Sequence, residues 1–170
     1  SNSHRVVVLS RSAPYHGELL AENIRELLVG FPSIKTVLFA GSGGELTAGL
    51  PYEVKYPVAV QGSLGQTLRN VLASGTDLKI HRSVISPLAE TPQLLSRFTT
   101  EQVETIDMEL GHFPENLKNI QFGFGVLVTD FPNQTTVSSA VSLALQDGSK
   151  KRQAADAFAT TVENYLLRTA

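Results

Sequence analysis

Cysteine is absent from the 170 residues, which excludes disulfides, thiolate catalysis and Cys-ligated zinc together. It makes a reducing, cytoplasmic compartment the default expectation. A basic block is also missing: 14 Lys and Arg stand against 16 Asp and Glu, a formal charge of −2 with the four His neutral. Phosphate neutralisation takes clustered Lys and Arg, so nucleic acid and acidic membrane surfaces are not expected partners. No apolar run reaches the roughly 20 residues that cross a bilayer, and Ser1-Asn2-Ser3-His4-Arg5 lacks the basic-then-apolar layout of a signal peptide. His4, His16, His81 and His112 have no metal-site spacing, so no metal is expected. No serine sits in a G-x-S-x-G elbow, which leaves a hydrolase triad without support.

What is present is a chain that folds. Charged residues make up 18% and apolar ones 42%, enough apolar surface to offset the entropy of ordering and to fill one core over residues 1–170. Residues 1–3 are expected to be a cloning remnant, and the abrupt run into Val6-Val7-Val8-Leu9 suits a domain excised from a longer protein.

Arg5 to Ser10 is β-branched and bounded by Ser, Ala and Pro14, which predicts a strand buried on both faces. Leu20, Ile24, Leu27 and Leu28 then repeat at helical spacing opposite Glu18, Glu22, Arg25 and Glu26, and Gly30 and Pro32 close that helix. Ile34 to Ala40 predicts the next strand and completes a βαβ unit with parallel pairing. Residues 52–62 contain Pro57 and predict an edge strand or irregular hairpin. Leu64, Leu68, Val71 and Leu72 predict a short helix ended by Gly75. Strands are expected at Leu78 to Ser86 and Val103 to Ile106, with a helix at Thr91 to Phe98 between them. Phe122, Phe124, Val126 and Val128 alternate up to Asp130 and predict a further strand. Two helices close the chain, one carrying Val137, Ala140, Val141, Ala144 and Leu145, the other Ala154 to Leu166. The expected architecture is a three-layer αβα domain with a mixed, largely parallel central sheet.

In open α/β sheets the ligand crevice lies outside the carboxyl ends of strands, and three polar motifs follow predicted strands here. Gly41-Ser42-Gly43-Gly44 leaves the backbone free to aim N–H groups at an anion, with the Ser42 hydroxyl as a further donor. A tight turn gives the same pattern, and neither the G-x-G-x-x-G spacing nor a Walker lysine is present. Glu109, between Met108 and Leu110, carries a carboxylate that needs donors, which adjacent sugar hydroxyls provide; Asp107 and Glu109 equally suit the start of a helix. Asp130 stands where partial burial makes a general acid or base, or where a turn bonds its own backbone.

In order and spacing these motifs resemble the nucleoside phosphorylase and nucleosidase superfamily. The matching stretches are Val37 to Leu46 around the glycines, Thr105-Ile106-Asp107-Met108-Glu109, and Val126-Leu127-Val128-Thr129-Asp130, with Ser83-Val84-Ile85-Ser86-Pro87 where that family has its base-pocket strand. The resemblance implies a phosphorylase-like α/β fold. It implies that Gly41, Ser42, Gly43 and Gly44 face phosphate or a nucleophilic water, that Glu109 holds the ribose hydroxyls with Met108 packed on the sugar, and that Asp130 protonates the purine. No cofactor is implied.

This chain also departs from that pattern. It is too short for the segment that supplies the rest of the anion site, Phe39 stands where phosphorylases place an Arg, and Arg11 to Gly17 replaces a glycine-rich turn. Leu88 and Ala89, not an aromatic, follow Ser86. Each missing group removes transition-state stabilisation, phosphorolysis suffering most. The expected function is therefore a degenerate, nucleoside-binding module, regulatory or scaffolding, within a larger protein. The alternative is an enzyme that cleaves the N-glycosidic bond of a purine nucleoside by phosphorolysis or hydrolysis, with His16 or Glu18 available to activate water. The expected partners are a nucleoside, phosphate, other copies of the chain and other domains of a longer protein.

Overall fold

A computed structural model describes residues 17–47, 52–74, 78–117, 119–133 and 148–169. The strand expected at Arg5 to Ser10, His4, His16 and the helix expected around Val137 to Leu145 lie outside the described residues. In chain order the elements are α1 (Glu18–Gly30), β1 (Thr36–Glu45), β2 (Val54–Lys55), β3 (Ala59–Gln61), β4 (Thr67–Arg69), β5 (Ile80–Ser83), α2 (Pro92–Thr100), β6 (Val103–Asp107), α3 (Phe113–Asn116), β7 (Gln121–Asp130) and α4 (Gly148–Thr169). Short 3-10 turns, Pro87–Ala89 and Leu110–His112, follow β5 and β6.

Among the described residues the strands form one seven-stranded sheet in the order β2-β7-β1-β6-β5-β3-β4. It is mixed. Most paired residues lie in the parallel ladders β1/β7, β3/β5 and β5/β6, while β1/β6, β2/β7 and β3/β4 are antiparallel. The longest ladder joins β1 to β7 from Thr36↔Gln121 to Gly44↔Asp130. Helices cover both faces, as the alternation along β7 requires. Phe122, Phe124 and Val126 join Leu20, Val60, Leu110 and Phe113 in a core under α1 and α3. On the other face Gly125 leaves room for Phe158 of α4, whose ring would lie 2.7 Å from a Cβ there. A second cluster, including Leu95 and Phe98 of α2 with Val103 and Ile106 of β6, closes the far end.

The sheet curls until its ends meet. Asn70, just past β4, bridges in parallel to Phe122, and Val71 N donates to Phe122 O at 2.9 Å. The Asn70 amide donates to Pro57 O at 2.8 Å and Phe124 O at 2.9 Å, while its oxygen accepts from Leu72 N at 3.0 Å and Phe124 N at 2.9 Å. Beneath this closure Phe113, Phe122 and Phe124 stack at 5.0 and 5.6 Å, and the ring of His81 meets Phe124 edge-on at 5.8 Å.

Two expectations are corrected. The short helix expected from Leu64 to Leu72 is a β3/β4 hairpin: Val60 pairs with Leu68, and Gly65 sits at φ 86° in a loop closed by Gly62 N to Gln66 O. The left-handed glycine breaks a helix there, so the apolar spacing has no helical meaning. The glycines after Ala40 are not a turn, because β1 runs through all of them to Glu45.

Candidate functional site

β1 changes partners at its end. A bulge between Gly43 and Gly44 shifts the ladder past Thr129, so that Gly44 pairs with Asp130 of β7. On its other edge Gly44 pairs with Ile106 and Glu45 with Thr105 of β6. Gly44, Asp130 and Ile106, the residue before Asp107-Met108-Glu109, therefore share one row of the sheet.

The glycines make this junction possible. A Cβ on Gly43 would stand 2.4 Å from Ile106 O, a backbone atom with nowhere to go. One on Gly44 would stand 3.0 Å from Asp130 Oδ2 and 2.6 Å from the Pro132 ring. Ser42 is exposed on β1, paired with Leu127, and Gly41 pairs with Val126. The sequence motif thus brings Gly44 against Asp130 and leaves Ser42 open to solvent.

Asp130 is partly buried. Desolvation raises its pKa above the ordinary carboxylate value, and a hydrogen bond from Thr129 Oγ1 at 3.0 Å opposes the rise. The same hydroxyl lies 3.3 Å from Gly43 O, which ties the side chain back to β1. Glu90 stands beside this carboxylate, just after the 3-10 turn Pro87–Ala89. Its pKa rises from 4.5 to about 7, through desolvation first and the negative charge of Asp130 second. The sequence reading stopped one residue short of it. A carboxylate closing a Ser-Pro turn after a strand was the available signal.

Ile85, before this turn, and Leu88, within it, are both exposed.

Glu109 is half-buried, and its Oε2 accepts from Met108 N at 3.2 Å. Met108 packs against the α2 cluster. The helix-start reading falls on Asp107, whose carboxylate accepts from Glu109 N and Leu110 N, each at 3.1 Å. Asp107 is itself held from β5 by the Ser83 hydroxyl and by His81, whose Nε2 lies 2.9 Å from Oδ1. The His81 N–H is not aligned on that oxygen, so the contact is an electrostatic approach more than a directed bond.

Among the described residues no group of His, Asp and Glu is arranged to hold a metal ion, and no helix is long and apolar enough to cross a membrane.

No protein-family model matches the chain, and no curated protein matches its sequence. Solved structures match its fold. The 5′-methylthioadenosine nucleosidase of Arabidopsis thaliana, in its apo form, superposes with a TM-score of 0.67 over 88% of this chain and 69% of that one, at 17% identity. A Helicobacter pylori nucleosidase in which an Asp is replaced by Asn, solved with 5′-methylthioadenosine in its active site, gives 0.66 over 90% and 77% at 9% identity. A methylthioadenosine phosphorylase from an antarctic soil metagenomic library gives 0.63 over 87% and 64% at 14% identity. What is shared at such identities is the fold, and the chain has the fold of nucleoside phosphorylases and nucleosidases.

Proposed function

We propose that the chain is a nucleoside-binding module that takes a purine nucleoside at the β7-β1-β6 junction. The observation that supports this reading is the double pairing of Gly44, with Asp130 on one side and with Ile106, at the end of the strand leading to Met108 and Glu109, on the other. In this reading Asp130 faces the base, Glu109 accepts from the ribose hydroxyls, Met108 lies under the sugar, and exposed Ile85 and Leu88 offer apolar surface to the base. Ser42 and the neighbouring backbone of Gly41, Gly43 and Gly44 face an anion or water. Phe39 supplies no charge for phosphate, so affinity resides in the nucleoside.

A ligand that binds only the folded state raises the unfolding temperature with its concentration. Titration of the purified chain with adenosine, inosine and 5′-methylthioadenosine is expected to raise it for at least one of them, and to do so less for the free bases. No shift with any nucleoside at millimolar concentration refutes the reading.

A second reading, N-glycosidic hydrolysis, is favoured by the two carboxylates. Glu90 titrates at about 7 beside Asp130, whose own pKa is raised by burial, so the site holds a carboxylic acid toward neutral pH, which is what a general acid requires. In that reaction the Asp130 proton passes to the base as the C1′–N bond breaks, water adds to C1′, and its proton restores the carboxylic acid. Asp130→Asn is then expected to abolish release of free base while leaving nucleoside binding intact. Chromatography of the reaction mixture checks this.

A further inference from the structure

The turn that presents Glu109 is wound around a carboxylate that the next strand controls. Asp107 ends β6 almost completely buried, where an ionised group needs donors to offset its desolvation. Two come from just downstream, Glu109 N and Leu110 N. A third comes from β5, the Ser83 hydroxyl, and the His81 ring packs its Nε2 2.9 Å from the same carboxylate; the two residues are two apart and so project from the same face of that strand. The Ser83 oxygen also accepts from Gly111 N at 2.7 Å. Gly111 sits so close that a Cβ there would be 2.8 Å from the Ser83 Cβ. His81 is fixed in turn, its Nδ1 2.8 Å from Thr105 Oγ1. The amides of Glu109, Leu110 and Gly111 are thus held by this small polar network, which β5 anchors, and the side chain of Glu109 leaves in the direction the network imposes.

We propose that His81 and Ser83 are positioning residues: acting through Asp107, they hold the 107–111 turn so that Glu109 faces the vicinal hydroxyls of a bound nucleoside. The proposal rests on the reading of the site given above. Apolar side chains would fill the same volume at no desolvation cost, and a polar network in their place selects one orientation of the turn.

The test compares wild type with Ser83→Ala, His81→Phe and the conservative His81→Gln. Amide hydrogen exchange at Glu109, Leu110 and Gly111 is expected to quicken about tenfold in the first two variants, the size of one lost hydrogen bond, with Phe124 and Val126 of β7 unchanged. Wild type is expected to bind adenosine about tenfold more tightly than 2′,3′-dideoxyadenosine. Ser83→Ala and His81→Phe should lose that ratio while keeping their affinity for adenine, and His81→Gln should recover part of it. Folded variants with unaltered exchange and an unaltered ratio overturn the proposal, and if His81→Phe does not fold, Ser83→Ala decides alone. Should wild type bind neither nucleoside, the reading of the site fails. Exchange at 109–111 then still separates the two claims, since unaltered exchange overturns the positioning network as well.

Discussion

Two neighbouring carboxylates repel, and desolvation and that repulsion together make one of them keep its proton to higher pH. Glu90 is that group here, its pKa raised from 4.5 to about 7. Between those values the folded state binds more protons than the unfolded chain, so stability is greatest below pH 4.5 for this group and falls as pH rises through 7. Asp130, also raised by burial, adds to the same slope from lower pH. Glu90→Gln is expected to flatten the decline between pH 5 and 7.5, measured as the urea midpoint at each pH, and an unchanged slope would place the titration elsewhere. The sequence made Asp130 visible because a clean alternation ends on it. Glu90 had only its place after a Ser-Pro turn to mark it, since its approach to Asp130 is made by tertiary structure.

β1 is the element on which sequence and structure differ most instructively. The apolar run Ile34 to Ala40 was legible as a strand, but glycines have no side chains with which to continue an alternation, and a cluster of them ordinarily marks a turn. Their continuation as strand follows from tertiary crowding, in which β6 and Asp130 approach the backbone of Gly43 and Gly44 from opposite edges. Gly43→Ala would set a methyl 2.4 Å from Ile106 O and force β1 away from β6. The expected cost is about 1–3 kcal/mol, read from denaturant unfolding, with faster amide exchange in β6. A stability equal to wild type would mean that this junction is looser than its geometry. α2 was legible for a local reason: Thr91 accepts from Leu94 N at 3.3 Å and Pro92 opens the first turn, a cap written in adjacent residues. The β3/β4 hairpin was not, because the spacing of Leu64, Leu68, Val71 and Leu72 fits a helix as well as chance does, and only Gly65 argued against it.

At the scale of the whole molecule the sheet is held curled by Asn70, a residue that no local pattern singles out. Its side chain spans the gap that twist leaves between the end of β4 and the first half of β7, while β2 occupies the second half of the same edge. All of its amide capacity for these neighbours is used inside the core, by Pro57 O, Phe124 O, Phe124 N and Leu72 N. Asn70→Leu keeps the volume and removes every one of those partners. Each buried group left unmatched costs about 1–3 kcal/mol, against a total of roughly 5–15 kcal/mol for a domain. The variant is therefore expected to unfold at much lower urea than wild type, whereas Asn164→Leu, on the exposed side of α4, should stay within about 0.5 kcal/mol. The loss should also reach the site: β7 carries Phe124 at the closure and Asp130 at the mouth, so freeing one end weakens the strand that holds the other. Exchange at Phe124 N should quicken in Asn70→Leu under conditions where the protein remains folded, and nucleoside binding should weaken with it. A variant as stable as wild type, with Phe124 still protected, would show that the curl is set by the cluster of Phe113, Phe122 and Phe124 and not by the asparagine.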